Sequence, residues 1–244
     1  MSEHRFVRAA IAAVLAGALV GSPALSQSTT SAENTEYNPT INPADFVPNV
    51  AHKYFTLKPG TKLTYKNQSF WGTERIEIAV TREIKKCMGV TTTVVRVREW
   101  WNDKLTEETR DWYAQDKEGN VWYFGEAVDN YKDGVLTDHR GSWEAGIDGA
   151  KPGIIMLKDP KVGDVYRQEY YKGRAEDMGT VVALGKKISV PHGTYENCVQ
   201  IRDWSPLESG SEYKYYCPGV GFLVLEEPAL LGMKKTELVS VSTD

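Results

Sequence analysis

The chain has 244 residues, 33 acidic against 29 basic side chains, and a formal net charge of −4. That balance offers no basic stripe for nucleic acid or an anionic membrane surface, and three cysteines are too few to build a disulfide scaffold and cannot all pair. The length suffices for one large β domain or two small ones with a packed core.

Residues 1–26 read as a cleavable secretory signal peptide. Arg5 and Arg8 precede an apolar run from Ala9 to Val20, and Ala24-Leu25-Ser26 supplies a small-residue cleavage site. The run is shorter than the ~20 residues that a bilayer requires. Gln27 rather than Cys follows Ser26, so no acceptor for a lipid is expected. The expectation is a soluble periplasmic or secreted protein with no stable membrane anchor. Residues 27–51, rich in Ser, Thr, Asn and Pro, predict a disordered polar leader.

From residue 52 to 244 the pattern predicts a single all-β domain. Short runs of β-branched and aromatic residues are broken by Gly, Pro, Asp and Asn turns, with no sustained helical period. Asp116-Lys117-Glu118-Gly119-Asn120 predicts a turn with Gly119 left-handed, and Asp133-Gly134 a tight hairpin. A calcium loop at Asp116-x-Glu118-x-Asn120 is the alternative, but it lacks the distal carboxylate.

An internal repeat organises the domain. A shift of 104 residues lays Arg75–Trp100 on Gly179–Trp204 without a gap, matching Ile78 with Val182, Val95 with Val199, Arg98 with Arg202 and Trp100 with Trp204. With one residue of slip, Lys58-Pro59-Gly60-Thr61 matches Lys161-Val162-Gly163-Asp164, and Asp111-Trp112-Tyr113-Ala114 matches Lys214-Tyr215-Tyr216-Cys217. Repeat one covers about 56–126, an insertion about 127–160, repeat two about 161–227, and a last strand 236–242. The expected fold is a large antiparallel curved sheet or open barrel built from two repeated meanders, with a Gly-rich inserted loop.

Candidate functional residues follow from this frame. Gly141 to Met156 carries four glycines with Trp143, Glu144, Asp148 and Lys151, a long shaped loop of the kind that often bears function. Consecutive aromatics on a strand point to opposite faces. Pairs such as Trp112-Tyr113 and Trp122-Tyr123 therefore mean either that both faces are covered or that one offers an aromatic wall to a ligand. The ligand-binding candidates are Trp143, Glu144, Asp148, Lys151, Trp112 and Trp122. Other carboxylates read as solvated surface. No nucleophile elbow, phosphate loop or metal-ligand spacing is present, so no catalytic residue, metal or cofactor is expected. Cys198 falls on Val94 and reads as a buried small hydrophobe, which leaves Cys87 with Cys217 as the expected disulfide; Cys198 with Cys217 across a hairpin is the alternative.

Thr56-Leu57-Lys58-Pro59-Gly60-Thr61, Asp111-Trp112-Tyr113-Ala114-Gln115-Asp116, Gly119–Glu126, Gly141–Met156 and Tyr215-Tyr216-Cys217-Pro218-Gly219-Val220-Gly221 resemble the motifs of a widespread family of exported bacterial β-rich proteins of undetermined activity. The resemblance spans nearly all of the chain after the signal peptide and implies no catalytic residue. It also implies that a role for Cys217 would be particular to this protein, since Ala is usual there. Val190–Tyr195 and the Tyr-x-Pro-Gly-Val-Gly segment look like elements of periplasmic curved-sheet lipoprotein carriers, an analogy of shape. The leading expectation is non-enzymatic binding or carriage of a hydrophobic small molecule or lipid. The alternatives are an aromatic surface module for polysaccharide or a partner protein, and a hydrolase or isomerase using Glu144, Asp148 and His139. Nucleic acid is not an expected partner.

Overall fold

The computed structural model describes residues 37–69, 72–229 and 235–244. The expected signal peptide, residues 1–26, and residues 27–36 of the expected leader lie outside the described residues. Three short strands come first: β1 (Phe46–Val47), β2 (Ala51–His52) and β3 (Phe55–Thr56). The first half of the main sheet follows, with β4 (Thr61–Ser69), β5 (Gly72–Cys87), β6 (Val90–Trp101), β7 (Lys104–Asp116) and β8 (Val121–Lys132). Its outer edge is completed by β9 (Val135–Asp138), β10 (Trp143–Glu144) and β11 (Lys151–Met156). The second half comprises β12 (Val165–Arg167), β13 (Glu169–Tyr170), β14 (Met178–Val190), β15 (Gly193–Trp204), β16 (Ser211–Tyr216), β17 (Leu223–Pro228) and β18 (Thr236–Thr243).

Thirteen of these strands form one antiparallel sheet nearly closed into a barrel. The order β4-β5-β6-β7-β8-β11 in the first half repeats as β12-β14-β15-β16-β17-β18 in the second. The halves join where β18 pairs with β4, and again at a seam where β12 pairs with β14 while β13 pairs with β11. Only Gln168 separates β12 from β13, so one kinked segment belongs to both ends of the sheet. Gly153 lies directly against the Gln168 backbone there, and a Cβ would collide with it.

Alternation determines which side chains enter the barrel. Ile76, Ile78 and Val80 on β5 are buried, as are Val199 and Ile201 on β15. The sheet pairs Ile78 with Val97 and Val181 with Ile201, so Ile78 corresponds to Val181 and not to Val182. Val182 is 37% exposed. The gapless shift of 104 therefore slips by one ahead of Ala183, because β14 has a bulge between Val181 and Ala183 that β5 lacks.

The turns follow their residues. Gly119 has φ 111°, and Asp133 and Gly134 both have positive φ in the hairpin between β8 and β9. The Asp116 carboxylate accepts hydrogen bonds from the Gly119 and Asn120 N–H groups, the Asn120 amide and the Trp122 indole, which makes the segment a braced hairpin turn.

The expectation of a disordered leader fails for residues 37–51. Asn42 caps a 3-10 turn at Pro43–Asp45, β1 pairs with β7, and Phe46 packs edge-on against Phe124 at 5.5 Å. Tyr37 crosses near the seam, its hydroxyl donating to the Pro152 carbonyl at 2.9 Å while Lys151 donates to the Tyr37 carbonyl at 2.6 Å. A composition poor in large apolar residues concealed the anchors of the segment, Tyr37, Phe46 and the buried Val50.

The disulfide joins Cys198 to Cys217, and Cys87 is free and buried, contrary to the expected Cys87–Cys217 pair. The reason is register. Val199 stands opposite Tyr216 on neighbouring strands, which brings the flanking Cys198 and Cys217 together. Cys87 ends β5 opposite Val90, and β5 does not border β16. Burial pushes the Cys87 thiol up to about 12, so it remains a packing residue.

Candidate functional site

The interior of the barrel is built in layers. At one level the β2–β3 hairpin inserts Phe55, fully buried, against Phe222 at 4.8 Å, Tyr113 at 5.2 Å and Tyr216 at 6.1 Å between ring centres. Tyr113 in turn stacks on Tyr123 at 4.9 Å. Gly221, at φ 102°, passes so close to the Thr56 carbonyl that no side chain fits there, which lets the 217–222 loop close over the hairpin. The Tyr65 hydroxyl donates to the Leu223 carbonyl at 2.8 Å and pins the same region.

Beside this aromatic plug lies a cavity of about 50 Å³. Its apolar wall includes Ile78, Val97, Tyr113, Tyr216 and Phe222, and its polar wall is Thr109, Asp111, Lys214 and Glu226. On the scale of one water per ~10–15 Å³ of such space, it accommodates a few waters or a molecule of a few heavy atoms.

The polar wall continues into a buried charged layer. Lys214 Nζ lies 2.9 Å from Asp203 Oδ2, 2.9 Å from Glu212 Oε1 and 4.0 Å from Glu226 Oε2. Gln168 Nε2, at the seam, donates to Asp203 Oδ1 at 3.0 Å, and the Tyr123 hydroxyl donates to Asp111 Oδ1 at 2.9 Å. Glu74 and Glu99 face the same space from β5 and β6, both nearly fully buried.

Burial governs the protonation of this layer. Glu99 is pushed well above the usual carboxylate range by desolvation and then by Glu107, Glu74, Glu226 and Asp111. Glu226 is raised by burial and by Glu212, against the pull of Lys214. Asp111 is moved to about 7 by burial, partly offset by the Tyr123 hydrogen bond, and Glu74 is raised to about 7 by burial. Burial acts to lower the Lys214 pKa, but Asp203, Glu212 and Glu226 outweigh it and hold the ammonium charged well above its ordinary range. Lys214 is therefore a fixed cation and not a nucleophilic amine, while several surrounding acids hold protons at neutral pH.

Comparison with protein families, curated proteins and solved structures gives no match. The resemblance to exported β-rich proteins thus rests on the motifs alone.

The six residues singled out from the sequence fall at separate places on the barrel wall and its cover. Trp143 is buried and packs edge-on against Tyr123 at 5.3 Å, which anchors the Gly-rich loop in the core. Glu144 accepts from Lys85 Nζ at 2.9 Å, and Lys85 lies over the Trp112 ring at 4.1 Å, so these three form one clasp between loop and wall. Lys151 is beside Tyr37 and Tyr170 near the seam. Trp122 packs on Phe46 at 6.3 Å, and Asp148 occupies a turn position with φ 50°. Trp112 and Trp143 are covered, and the leader and the Gly-rich loop lie over the outer aromatics of β7 and β8. The choice posed by consecutive aromatics resolves here as two covered faces. His139 lies 2.8 Å from Asp129 and is exposed. Among the described residues no three His, Cys, Asp or Glu side chains are arranged to hold a metal ion.

Asp111, Glu99, Glu226 and Lys214 were missed when carboxylates were read as solvated surface. The signal was present: Glu99 is in phase with Val95 and Val97, Asp111 with Tyr113, and Lys214 with Tyr216, all on inward positions.

Proposed function

We propose that the protein is an exported, non-enzymatic barrel that holds a small organic molecule in its interior. The observation that carries this reading is the cavity of about 50 Å³ beside the Phe55 plug, lined by apolar side chains together with Asp111, Lys214 and Glu226. A pocket that is mostly apolar with a few convergent polar groups is the usual form of a small-molecule site. The volume supports a compact molecule or the compact end of a larger one, rather than a whole lipid chain. The signal-like residues 1–26 and the Cys198–Cys217 disulfide both suit an oxidising compartment outside the cytoplasm.

Native mass spectrometry of protein purified from its own host, followed by organic extraction, tests the reading. The expected result is a co-purifying small molecule that is lost when Val97→Phe fills the cavity without changing the circular dichroism spectrum. Ligand-free protein from cells, unchanged after exposure to a panel of small polar and apolar compounds, overturns it.

A further inference from the structure

The cavity wall holds more acid than its lysine neutralises. Asp111 on β7 and Glu226 on β17 line the cavity, and Lys214 is the one lysine or arginine among the described residues doing so. Along the inward faces, Ile78 pairs with Val97 at the cavity, and the next inward pair is Ile76 with Glu99. Glu99 is 3% exposed and its Oε1 has no hydrogen-bond partner; the Oε2 of Glu74 has none either. A buried acceptor left without a donor is costly. The two halves of the barrel differ here. Lys214 stands opposite Glu226 across β16 and β17, whereas Asp111 stands opposite Glu126 across β7 and β8. The second half carries its own ammonium, and the corresponding place in the first half carries a further acid. Tyr113, Tyr216 and Phe222 line the same cavity, and aromatic faces attract cations.

We propose that the interior takes a small primary ammonium compound, its N–H groups directed to Asp111, Glu226 and Glu99 Oε1 and its short apolar part against Tyr113, Tyr216 and Phe222. The proposal rests on the interior being the ligand site. Where the accepting carboxyl group is protonated, seating the cation releases that proton to solvent and leaves the charge of the layer unchanged. The groups facing the site are Glu74 from β5, Glu99 from β6, Glu107 and Asp111 from β7, Glu126 from β8, Asp203 from β15, Glu212 and Lys214 from β16, and Glu226 from β17. Asp111, at about 7 through burial, is the cavity-lining acid that titrates in the neutral range; Glu74, also at about 7, does not line the cavity.

Calorimetric titration of the full folded protein with ethylammonium chloride, in buffers of different ionisation heat at pH 6, 7 and 8, tests this. The expected result is proton release of about one per ligand at pH 6, falling to about a half at pH 7 and close to none at pH 8, with affinity rising about fivefold from pH 6 to pH 7. Tetramethylammonium, which has no N–H donor, binds at least tenfold more weakly, and sodium chloride at the same ionic strength gives no saturable heat. Asp111→Asn and Glu226→Gln, each verified as folded by near-ultraviolet circular dichroism, weaken binding at least tenfold, and Asp111→Asn also flattens the pH dependence. Binding independent of pH, equal binding of tetramethylammonium, or no binding overturns the proposal. If ethylammonium fails while a neutral molecule co-purifies and is lost in Val97→Phe, this inference falls and the interior-site reading stands. If neither occupies the barrel, both fall.

Discussion

The two halves of the barrel share a strand order and solve the same two problems differently. Inside, the second half surrounds Lys214 with Asp203, Glu212 and Glu226, whereas the first half sets Asp111 opposite Glu126 with the Tyr123 hydroxyl as a donor. On the wall, the second half ties β15 to the end of β16 through Cys198–Cys217, whereas the first half places Val94 opposite Trp112 and covers it with the Gly-rich loop through Lys85 and Glu144. A duplicated sheet thus preserves strand order and inward alternation while its cross-strand chemistry diverges. The preserved part defines the container, and the diverged part gives it an asymmetric interior.

Removing the buried cation should break the second half most severely. Lys214→Met leaves three acids around an apolar side chain, and urea unfolding is expected to show a loss of about 3–5 kcal/mol. A loss under ~1 kcal/mol would mean that protonation of the acids, and not the lysine, holds the layer. Replacing both Cys198 and Cys217 by Ala opens a short covalent loop and should cost about 3 kcal/mol in the same assay.

The first half is expected to respond to pH. The folded pKa values of Asp111 and Glu74 lie above their unfolded values, so the folded state binds more protons. Their stabilising contribution is complete below about pH 4 and is lost as pH rises through about 7, by about 3–4 kcal/mol per group. Thermal unfolding should therefore occur at lower temperature at pH 8 than at pH 5, and Asp111→Asn should flatten that slope. A stability that rises over this range would refute the assignment of buried protonated acids. The smallest effect is expected at the half-exposed clasp on the wall, where a double-mutant cycle on Lys85→Ala and Glu144→Ala should give a coupling of about 0.5 kcal/mol.

Much of the fold was legible because strand alternation and turn chemistry are local. The meanders, the Asp116 and Asp133-Gly134 turns and the repeat could all be read from short windows. Register was not legible, because it depends on bulges: β14 breaks between Val181 and Ala183, where β5 runs from Ile78 to Val80 without a break. The same limit misassigned the disulfide, since choosing between Cys87 and Cys198 required knowing which residue faces Tyr216. The candidate site was hidden for another reason. Charged side chains normally face water, and only closure of the sheet turns Glu99, Asp111, Lys214 and Glu226 into interior groups. Trp143 and Glu144 stood out from the sequence as ligand-binding candidates, and in the structure they dock the loop against Tyr123 and Lys85.

The pairing of β18 with β4 places Thr243 opposite Thr61 and Glu237 opposite Lys66, so the last strand of the chain completes the sheet begun by its first long one. Contacts of such wide sequence separation form late and slowly. Until residues 236–243 arrive, β4 and β17 both present bare edges able to recruit strands from other copies. Truncation at the carboxyl end therefore threatens more than eight residues of structure: it converts a nearly closed barrel into an aggregation template with two sticky sides.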